Sequence, residues 1–338
     1  MYCLELAGDE DAFAACEAMS AASAVEVVAG GVATARGINP DGVRRLAYTH
    51  AASDLIARTD ADIEAAAAAL SAAGIDREGS VAVRARDVRS ATGVSTQAAE
   101  RQLGEILVDR GFRVDLDDPD HELRVLFAGS GDDGGNDHDC CLLGWLAVES
   151  RRDYGDRRPT DRPFVQPGSM APLDARALVN IAGAGPETTV VDPMCGTGGL
   201  LLEAGLVGSN VIGIDAQWKM ARGSRENLAA LREEADEGFD GEVSVCRGDA
   251  TALPLVDDMA DTVVFDAPYG RQSKIARHEL GDLVGGALRE ARRIAPRAVV
   301  VADRSWDDAA QEAGWTVERR FERRVHGSLV RHVHVLSG

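Results

Sequence analysis

Short apolar runs alternate with longer amphipathic segments through the second half of the chain. Runs rich in Val and Ile predict buried strands, and segments with apolar residues at helical spacing predict helices. The predicted strands cover residues 189–192, 210–215, 243–247, 262–266 and 298–303. Helices are predicted over 217–235 and 278–294, with shorter ones beginning at Gly199 and Trp306. Two last strands, 315–325 and 328–336, flank His326-Gly327, so the pattern predicts an open α/β sheet that ends in an antiparallel hairpin.

The first half holds two smaller groups of elements. Over residues 1–59, we expect a ferredoxin-like α+β subdomain with strands at 1–6 and 25–28, a helix at 11–20 and apolar residues at helical spacing over 46–58. Residues 60–149 contain helices at 62–73 and 95–110, strands at 81–86, 113–116, 122–127 and 142–148, and an acidic loop at 131–139. This order resembles that of a THUMP domain, an RNA-binding module found on tRNA-modifying enzymes.

A glycine-rich turn follows the strand at 189–192. Asp192 closes this strand, Cys195-Gly-Thr-Gly-Gly199 forms the turn, and a helix starts at Leu200. Glycine lets the backbone approach a ligand closely, and the start of a helix offers N–H groups that have no helical partner. The turn therefore favours a nucleotide-type cofactor at the carboxyl end of a strand, although a tight turn without a ligand explains this one segment equally well.

Acidic residues also end the next two strands. Asp215 follows Val211-Ile-Gly-Ile214, and Asp249 follows the strand at 243–247. In a Rossmann-like sheet, a carboxylate at the end of the second strand reaches the ribose hydroxyl groups of a nucleotide. Three acids at the ends of three successive strands, beside a glycine-rich turn, predict a nucleotide cofactor in preference to purely structural acids.

The segment Val263-Val-Phe-Asp-Ala-Pro-Tyr-Gly270 resembles the [Asp/Asn]-Pro-Pro-[Tyr/Phe] signature of methyltransferases that act on the amino groups of bases. The lone pair of such an amine is delocalised into the ring, so two acceptors for its N–H groups make the nitrogen more nucleophilic. The resemblance implies that the Asp266 carboxylate and the Ala267 carbonyl are these acceptors. It also implies that Tyr269 stacks on a flipped base and that Pro268 stiffens the turn. Ala267 departs from the usual proline, and an ordinary strand-to-loop turn is the alternative.

Two flanking segments narrow the family. Arg162-Pro-Phe-Val-Gln-Pro-Gly-Ser-Met-Ala-Pro172 resembles the segment that leads into the first helix of the archaeal tRNA guanine-N2 methyltransferases. Arg323–Arg331 resembles the closing hairpin of the same enzymes. The resemblance implies a class I Rossmann-like methyltransferase domain over 164–338, S-adenosylmethionine as the cofactor and guanosine 10 of tRNA as the target. Monomethylation and dimethylation both stay open.

The same resemblance implies which residues hold the cofactor. The segment before the first helix covers the methionine end of the cofactor, and the acid after the third strand meets the adenine edge. The implied cofactor-binding residues are Pro167, Gly168, Ser169, Met170, Asp192, Met194, Cys195, Gly196, Thr197, Gly198, Asp215, Ala216, Asp249 and Ala250.

The chain is strongly acidic: 338 residues contain 36 Lys and Arg against 56 Asp and Glu, for a formal net charge of −20. Only Lys219 and Lys274 are lysines. This composition favours a protein that works in concentrated salt, where carboxylates hold water and self-repulsion is screened, and it suggests a haloarchaeal source. An ordinary acidic protein is the alternative.

Arginines are concentrated over residues 150–163, a segment with the composition of a linker. It contains five arginines and three aspartates within an acidic chain, so we expect this positive stripe to contact a phosphate backbone. A charged, flexible connector is the alternative. The predicted RNA-binding residues are Arg84, Arg86, Arg151, Arg152, Arg157 and Arg158.

Cysteine spacing and hydropathy argue against several other classes. The six cysteines show no Cys-x-x-Cys spacing, so we expect neither a metal site nor a disulfide framework. No signal segment and no long apolar run is found, which predicts a cytoplasmic protein without a membrane span. We expect a monomer that binds tRNA, with an activating protein partner left open. The competing hypotheses are a methyltransferase for another base amino group, an RNA-binding protein with a decayed methyltransferase fold and, more remotely, a dehydrogenase.

Overall fold

The computed structural model describes residues 1–130, 138–234, 239–269, 277–326 and 329–338. These residues divide into two compact units, Met1–Arg151 and Arg152–Gly338, which we call the N-terminal and the C-terminal unit. Several predicted features lie outside the described residues: most of the acidic loop (131–137), Ala235 at the end of a helix, Gly270 of the catalytic segment, Gly327 of the hairpin turn and Ser328 at the start of the last strand.

The described part of the N-terminal unit forms one mixed eight-stranded sheet in the order β3-β4-β1-β6-β10-β9-β7-β8, with β2 and β5 as a separate pair. The strands are β1 (Tyr2–Leu6), β2 (Ala22–Ser23), β3 (Glu26–Ala29), β4 (Val32–Ala35), β5 (Gly37–Ile38), β6 (Thr49–Asp60), β7 (Ser80–Val88), β8 (Arg113–Val114), β9 (His121–Ala128) and β10 (Cys140–Glu149). The helices are α1 (Asp11–Ala18), α2 (Pro40–Arg44), α3 (Ile63–Ala72) and α4 (Thr96–Asp109).

Helices α3 and α4 bury their apolar faces in a core that includes residues of the sheet. Leu70 of α3 and Leu103 and Leu107 of α4 are fully buried in one cluster with Phe127 and Trp145 of the sheet. The side chain of Ser95 accepts a hydrogen bond from the N–H of Ala98 and so caps the N-terminus of α4. The alternation of buried and exposed positions thus places these elements correctly.

The predicted helical spacing over residues 46–58 is wrong, because Thr49–Asp60 forms the twelve-residue strand β6. Alanines and leucine at this spacing fit a helical face, and alanine also has the highest helix propensity. However, β6 lies between β1 and β10 and forms hydrogen-bonded ladders with both. Pairing along both edges of a central strand outweighs the weak local preference of small residues such as Ala51 and Ala52.

Strand β6 connects the two domains that the sequence predicts in the N-terminal half, residues 1–59 and 60–149. It pairs with β1 from the predicted ferredoxin-like segment and with β10 from the predicted THUMP-like segment. Residues 1–59 and 60–149 therefore contribute to one sheet inside one compact unit.

The described part of the C-terminal unit forms a seven-stranded sheet in the order β13-β12-β11-β14-β15-β17-β16. Strands β11 to β15 run parallel, and β16 and β17 form the antiparallel hairpin at one edge, as the sequence predicts. The strands are β11 (Thr189–Asp192), β12 (Asn210–Asp215), β13 (Val243–Arg247), β14 (Thr262–Asp266), β15 (Arg297–Ala302), β16 (Thr316–His326) and β17 (Leu329–Ser337). The helices are α5 (Pro172–Ala182), α6 (Gly199–Leu206), α7 (Trp218–Glu234), α8 (Arg277–Ile294) and α9 (Asp307–Glu312).

The order of strands creates a crevice at one end of this sheet. After β11, the chain builds β12 and β13 on one side and then returns to place β14 on the other side. In open parallel sheets, ligands bind outside the carboxyl ends of the strands at such a reversal. The fully buried Val191 and Phe265 anchor β11 and β14 in the core, so the residues that end these strands meet at the reversal.

Candidate active site

The turn after β11 is held by hydrogen bonds among its own residues and contains a glycine with a left-handed backbone angle. Asp192 is 2% exposed, and its carboxylate accepts the N–H of Met194 at 3.0 Å. The N–H of Gly198 donates to the carbonyl of Cys195 at 2.7 Å. Gly198 has a φ of +83°, and a Cβ there would lie 2.5 Å from the hydroxyl oxygen of Ser224. The turn therefore requires glycine for both its backbone angle and its close packing.

Asp215 at the end of β12 is connected to this turn. One of its carboxylate oxygens accepts the N–H of Gly196 at 3.0 Å, and the other accepts the N–H of Gln217 at 2.8 Å. Burial raises the pKa of Asp215, and these two backbone donors oppose that shift. Each oxygen keeps a second lone-pair direction, so the carboxylate can still accept hydrogen bonds from a pair of ligand hydroxyl groups.

A cavity opens between this turn, the segment that precedes α5 and the end of β14. In the segment, the hydroxyl of Ser169 lies 3.1 Å from that of Thr197 in the turn and donates to the carbonyl of Gln166. Within the described residues the lining comprises Gln166, Pro167, Gly168, Ser169, Met170, Asp192, Met194, Cys195, Gly196, Thr197, Gly199, Leu200, Met220 and Asp266.

Ten of the eighteen predicted catalytic and cofactor-binding residues line this cavity, whereas Ala267, Pro268 and Tyr269 are outside its described lining. The structure brings the segment Pro167–Met170, the turn from Asp192 to Thr197 and Asp266 to one cavity. The sequence reasoning did not single out Gln166, Leu200 or Met220, which carry no polar motif and line the cavity through their place on neighbouring elements. Five predicted cofactor-binding residues are outside the lining of the described cavity: Gly198, Asp215, Ala216, Asp249 and Ala250.

Asp249 lies in a turn after β13. Its carboxylate accepts the N–H and the hydroxyl of Thr251 at 2.9 and 2.8 Å, and these bonds lower the pKa of Asp249. The side chain of Ala250 is buried in the core of the sheet. Contact of either residue with the adenine edge of a cofactor stays a prediction.

Asp266 ends β14 and faces the cavity. Burial raises the pKa of its carboxyl group to about 6, and the nearby Arg331 and the hydroxyl of Tyr269 oppose this rise. The Tyr269 hydroxyl donates to one carboxylate oxygen of Asp266 at 2.9 Å. Next along the chain, the N–H of Ala267 donates to the carbonyl of Val301 at 2.8 Å, which holds the start of the segment against β15. Asp266 is therefore ionised at neutral pH and becomes protonated only in mild acid.

Arg331 is a residue of this site to which the sequence reasoning assigned no role. Its Nε donates to the Tyr269 hydroxyl at 3.1 Å, and its side chain is buried. The alternation along the predicted last strand puts Arg331 on the same face as Val333 and Val335, which could have marked it. The structure shows that all three side chains are buried. An arginine on the buried face of a strand indicates a specific partner, although the partner itself is not visible in the sequence.

The arginine-rich segment begins the C-terminal unit as two short 3-10 helices, Asp153–Arg157 and Pro159–Asp161. The Nε of Arg157 donates to one oxygen of Glu203 at 2.8 Å, and Arg176 pairs with the other oxygen at 2.8 Å. Glu203 is 0% exposed and the Arg157 side chain is 10% exposed. The guanidinium of Arg157 is therefore engaged by a buried carboxylate, and its contact with RNA stays a prediction.

The other predicted RNA-binding arginines are more accessible. Arg151, Arg152 and Arg158 are exposed. On the N-terminal unit, Arg84 donates to the carbonyl of Leu116 at 2.5 Å and Arg86 pairs with the buried Glu5, yet about half of each arginine side chain is exposed. Contact of these five arginines with RNA stays a prediction.

The described residues contain neither a metal-binding cluster nor a membrane-spanning helix. They hold no group of three or more His, Cys, Asp or Glu side chains placed to bind a metal ion. The cysteines are unpaired, and Cys246 alone among the six is exposed. None of the helices in the described ranges combines the length and apolar character that a membrane crossing requires.

Comparison with known proteins shows which family this chain belongs to. Residues 159–333 match the family model of the RMKL-like methyltransferase domain. The chain is 34% identical over 303 residues to a tRNA (guanine(10)-N2)-dimethyltransferase from Methanothermobacter thermautotrophicus, which covers 87% of this chain and 84% of that protein. It is 30% identical to the enzyme of the same name from Pyrococcus abyssi, over 70% of this chain and 68% of that protein. A third such enzyme, from Methanocaldococcus jannaschii, is 29% identical over 77% of this chain and 71% of its own length.

Proposed function

Because this chain belongs to the family of the tRNA (guanine(10)-N2)-dimethyltransferases and carries an RMKL-like methyltransferase domain, we propose that it methylates N2 of guanosine 10 in tRNA. S-adenosylmethionine is the methyl donor that this class of domain uses. The observation that carries the proposal is the position of Asp266, whose carboxylate faces the same cavity as the glycine-rich turn and the segment Pro167–Met170. An acceptor for an amino group and a site for a methyl donor therefore share one cavity.

The residues present fit S-adenosylmethionine. Gly199 and Leu200 line the cavity and begin α6, where the first N–H groups have no helical partner and no side-chain cap, which suits the carboxylate of the methionine moiety. Asp215 offers carboxylate lone pairs to ribose hydroxyl groups. When bound, S-adenosylmethionine supplies an electrophilic methyl group on a sulfonium that leaves as a neutral thioether.

The chain's own residues orient and activate the target amine. Ionised Asp266 accepts one N–H of guanine N2, which draws the nitrogen lone pair out of conjugation with the ring and aims it at the methyl carbon. The carbonyl of Ala267 accepts the second N–H, and Tyr269 packs on the face of the base. After the N–C bond forms, the nitrogen carries a positive charge and loses a proton to solvent or to Asp266.

We propose that the N-terminal unit, which we interpret as ferredoxin-like and THUMP domains, docks the tRNA. Arg84 and Arg86 on this unit, and the exposed Arg151, Arg152 and Arg158, would contact phosphates. We further propose that the protein works in the cytoplasm and at high salt. The excess of carboxylates supports the second part, because screening is needed to bring so acidic a chain to an RNA backbone.

The test is nucleoside mass spectrometry on unmodified tRNA transcripts incubated with the protein and S-adenosylmethionine in concentrated KCl. Methylated guanosine at position 10, mapped by nuclease digestion, is the expected product. A transcript with adenosine in place of guanosine 10 is the matched control and should remain unmethylated. Methylation at a different guanosine, or at an adenine amino group, would overturn the assigned target while retaining the chemistry. Cofactor binding without any product would favour the hypothesis of an RNA-binding protein with a decayed active site.

A further inference from the structure

Tyr269 is held by Asp266 of its own segment and by Arg331 of β17. Its hydroxyl accepts the Nε–H of Arg331 on β17 at 3.1 Å and donates to Asp266 at 2.9 Å. Arg331 in turn lies 3.5 Å from the carboxylate of Asp174 in α5, which Arg323 of β16 also contacts at 3.1 Å. The predicted catalytic segment, the closing hairpin and α5 are therefore connected by one chain of polar contacts.

The direction of these hydrogen bonds is determined by Arg331. A guanidinium only donates, so the Tyr269 oxygen must accept from Arg331 and direct its own proton to Asp266. Within the described residues, this is the one hydrogen bond that the Asp266 carboxylate accepts, and it engages a single oxygen. The other carboxylate oxygen keeps its lone pairs for a ligand in the cavity that Asp266 lines.

Packing alone does not account for an arginine at this position. Arg331 is 7% exposed, and placing a guanidinium away from water costs several kcal/mol unless partners compensate. Its partners are Tyr269, Asp266 and Asp174, two of which belong to the predicted catalytic segment. A leucine on this face of β17 would fill the space without that cost. We therefore attribute the arginine at this position to its contacts with Tyr269, Asp266 and Asp174.

We propose that Arg331, anchored by Asp174, is a positioning residue that fixes the ring and hydroxyl of Tyr269 against Asp266 and leaves one Asp266 oxygen directed at the substrate amine. This proposal rests on the proposed function for its catalytic meaning, whereas the arrangement itself is a property of the free protein. Arg331 acts through Tyr269 and Asp266 and does not itself touch the substrate.

The first test reads the arrangement without RNA or cofactor. The chain contains four tyrosines, so the full protein can be labelled with 3-fluorotyrosine and the Tyr269 fluorine resonance assigned by its loss in Tyr269→Phe. We expect this resonance to titrate with Asp266 and the titration to vanish in Asp266→Asn. The charged groups that act on this titration are Arg331, Asp303 and Asp192, together with the Tyr269 hydroxyl itself.

Removing the arginine should shift that titration. In Arg331→Met, the midpoint should rise by about one pH unit, because the positive charge that favours ionised Asp266 is gone. Arg331→Lys keeps the charge and should restore the midpoint. Arg320→Met removes an arginine of the same hairpin that pairs with Asp307, and it should leave the midpoint unchanged. An unshifted midpoint in a folded Arg331→Met, or an equal shift in Arg320→Met, would overturn the proposal. If Arg331→Met does not fold, Arg331→Gln removes the same charge, keeps a polar side chain, and should shift the midpoint in the same direction.

The second test measures single-turnover methylation of tRNA. Arg331→Met should lower the maximal rate by on the order of 30-fold with the KM for tRNA within about threefold, since the transition state is affected more than binding. Arg331→Lys should recover the pH dependence but only part of the rate. A single ammonium cannot contact both the Tyr269 hydroxyl and the Asp174 carboxylate in the geometry of a guanidinium. A wild-type protein that makes no methylguanosine would refute the proposed function, while the fluorine titration would still decide the role of Arg331.

Discussion

At the scale of single residues, three carboxylates in or beside the cavity, Asp192, Asp215 and Asp266, have raised pKa values because they are buried. The pKa of Asp192 is raised well above its ordinary value, and nearby Asp215 and Asp266 raise it further. Asp192 ends β11 behind the glycine-rich turn, Asp215 supports that turn, and Asp266 faces the ligand space. The repulsion of Asp192 by Asp215 and Asp266 destabilises the folded state, and neutral side chains at these positions would remove it.

The burial of ionised Asp266 should lower the stability of the folded protein, although the proposed reaction needs this carboxylate. The pKa is 3.8 for the exposed group and about 6 in the folded protein, so between these values the folded state holds a proton that the unfolded chain has released. Stability therefore falls as the pH rises through this window, by about 2–3 kcal/mol in total. Asp266→Asn cannot ionise, so it should melt at a higher temperature than the wild type at pH 7.5, and the difference should shrink at pH 4.5.

The same variant should lose on the order of 100-fold or more in methylation rate, because a neutral amide is a weaker acceptor for the substrate N–H group. Thermal melts at the two pH values and single-turnover rates provide the measurements, with cofactor affinity as a control that should change by only a few-fold. A less stable Asp266→Asn at pH 7.5, or a fully active one, would contradict this account of the site.

At the scale of elements, the segment at the start of the C-terminal unit is held against the helices α5 and α6. The pair of 3-10 helices over 153–161 is held where Arg157 meets Glu203 of α6, which Arg176 of α5 also binds. One buried carboxylate thus joins the arginine-rich segment to α5 and α6, the two helices beside the cavity. Residues 153–161 are therefore ordered, although their composition is typical of a flexible linker.

Two neighbouring arginines should therefore differ in role: Arg157 stabilises the fold, and exposed Arg158 is free of that structural pairing with Glu203. Arg157→Met leaves Glu203 with Arg176 alone and should destabilise the C-terminal unit by on the order of 3 kcal/mol, with a lower melting temperature. Arg158→Met, at an exposed position, should melt within a degree or two of the wild type and weaken tRNA binding with a smaller salt dependence. Thermal melts and tRNA titrations at several KCl concentrations distinguish them. Equal melting temperatures for the two variants would remove the structural role of Arg157.

At the scale of the whole molecule, net charge is the dominant feature. With 56 acidic against 36 basic residues, the folded chain brings like charges closer together than the unfolded chain does. Cations screen this repulsion over a distance of about 10 Å at 0.1 M and about 3 Å at 1 M ionic strength. The composition therefore bears on the conditions under which the fold is stable, more than on the fold itself.

The melting temperature should accordingly rise between 0.1 and 2 M KCl. Specific salt effects on hydrophobic burial can be separated by repeating the melts at constant ionic strength with a different anion. A melting temperature that falls as KCl increases would contradict the proposal that the protein works at high salt. The same series, followed by size-exclusion chromatography, tests the expectation of a monomer.

Local sequence was sufficient for most of the fold and for much of the site. The resemblance to a known family implied the cluster of Pro167–Met170, Asp192 and Asp266 at one cavity. The parallel strands, the terminal hairpin and the glycine-rich turn follow from short apolar runs and turn residues. These features are decided within a few residues of the chain, since alternation, capping and glycine turns depend on neighbouring positions.

Only the tertiary structure decided features that depend on partners far along the chain. Strand β6 forms because β1 and β10 pair with its two edges, against the helical spacing of its own alanines. Arg157 is held by Glu203, 46 residues away, and Tyr269 by Arg331, 62 residues away. Composition shows that a side chain is charged, but whether it faces solvent, RNA or a buried carboxylate depends on which distant segment the fold places beside it.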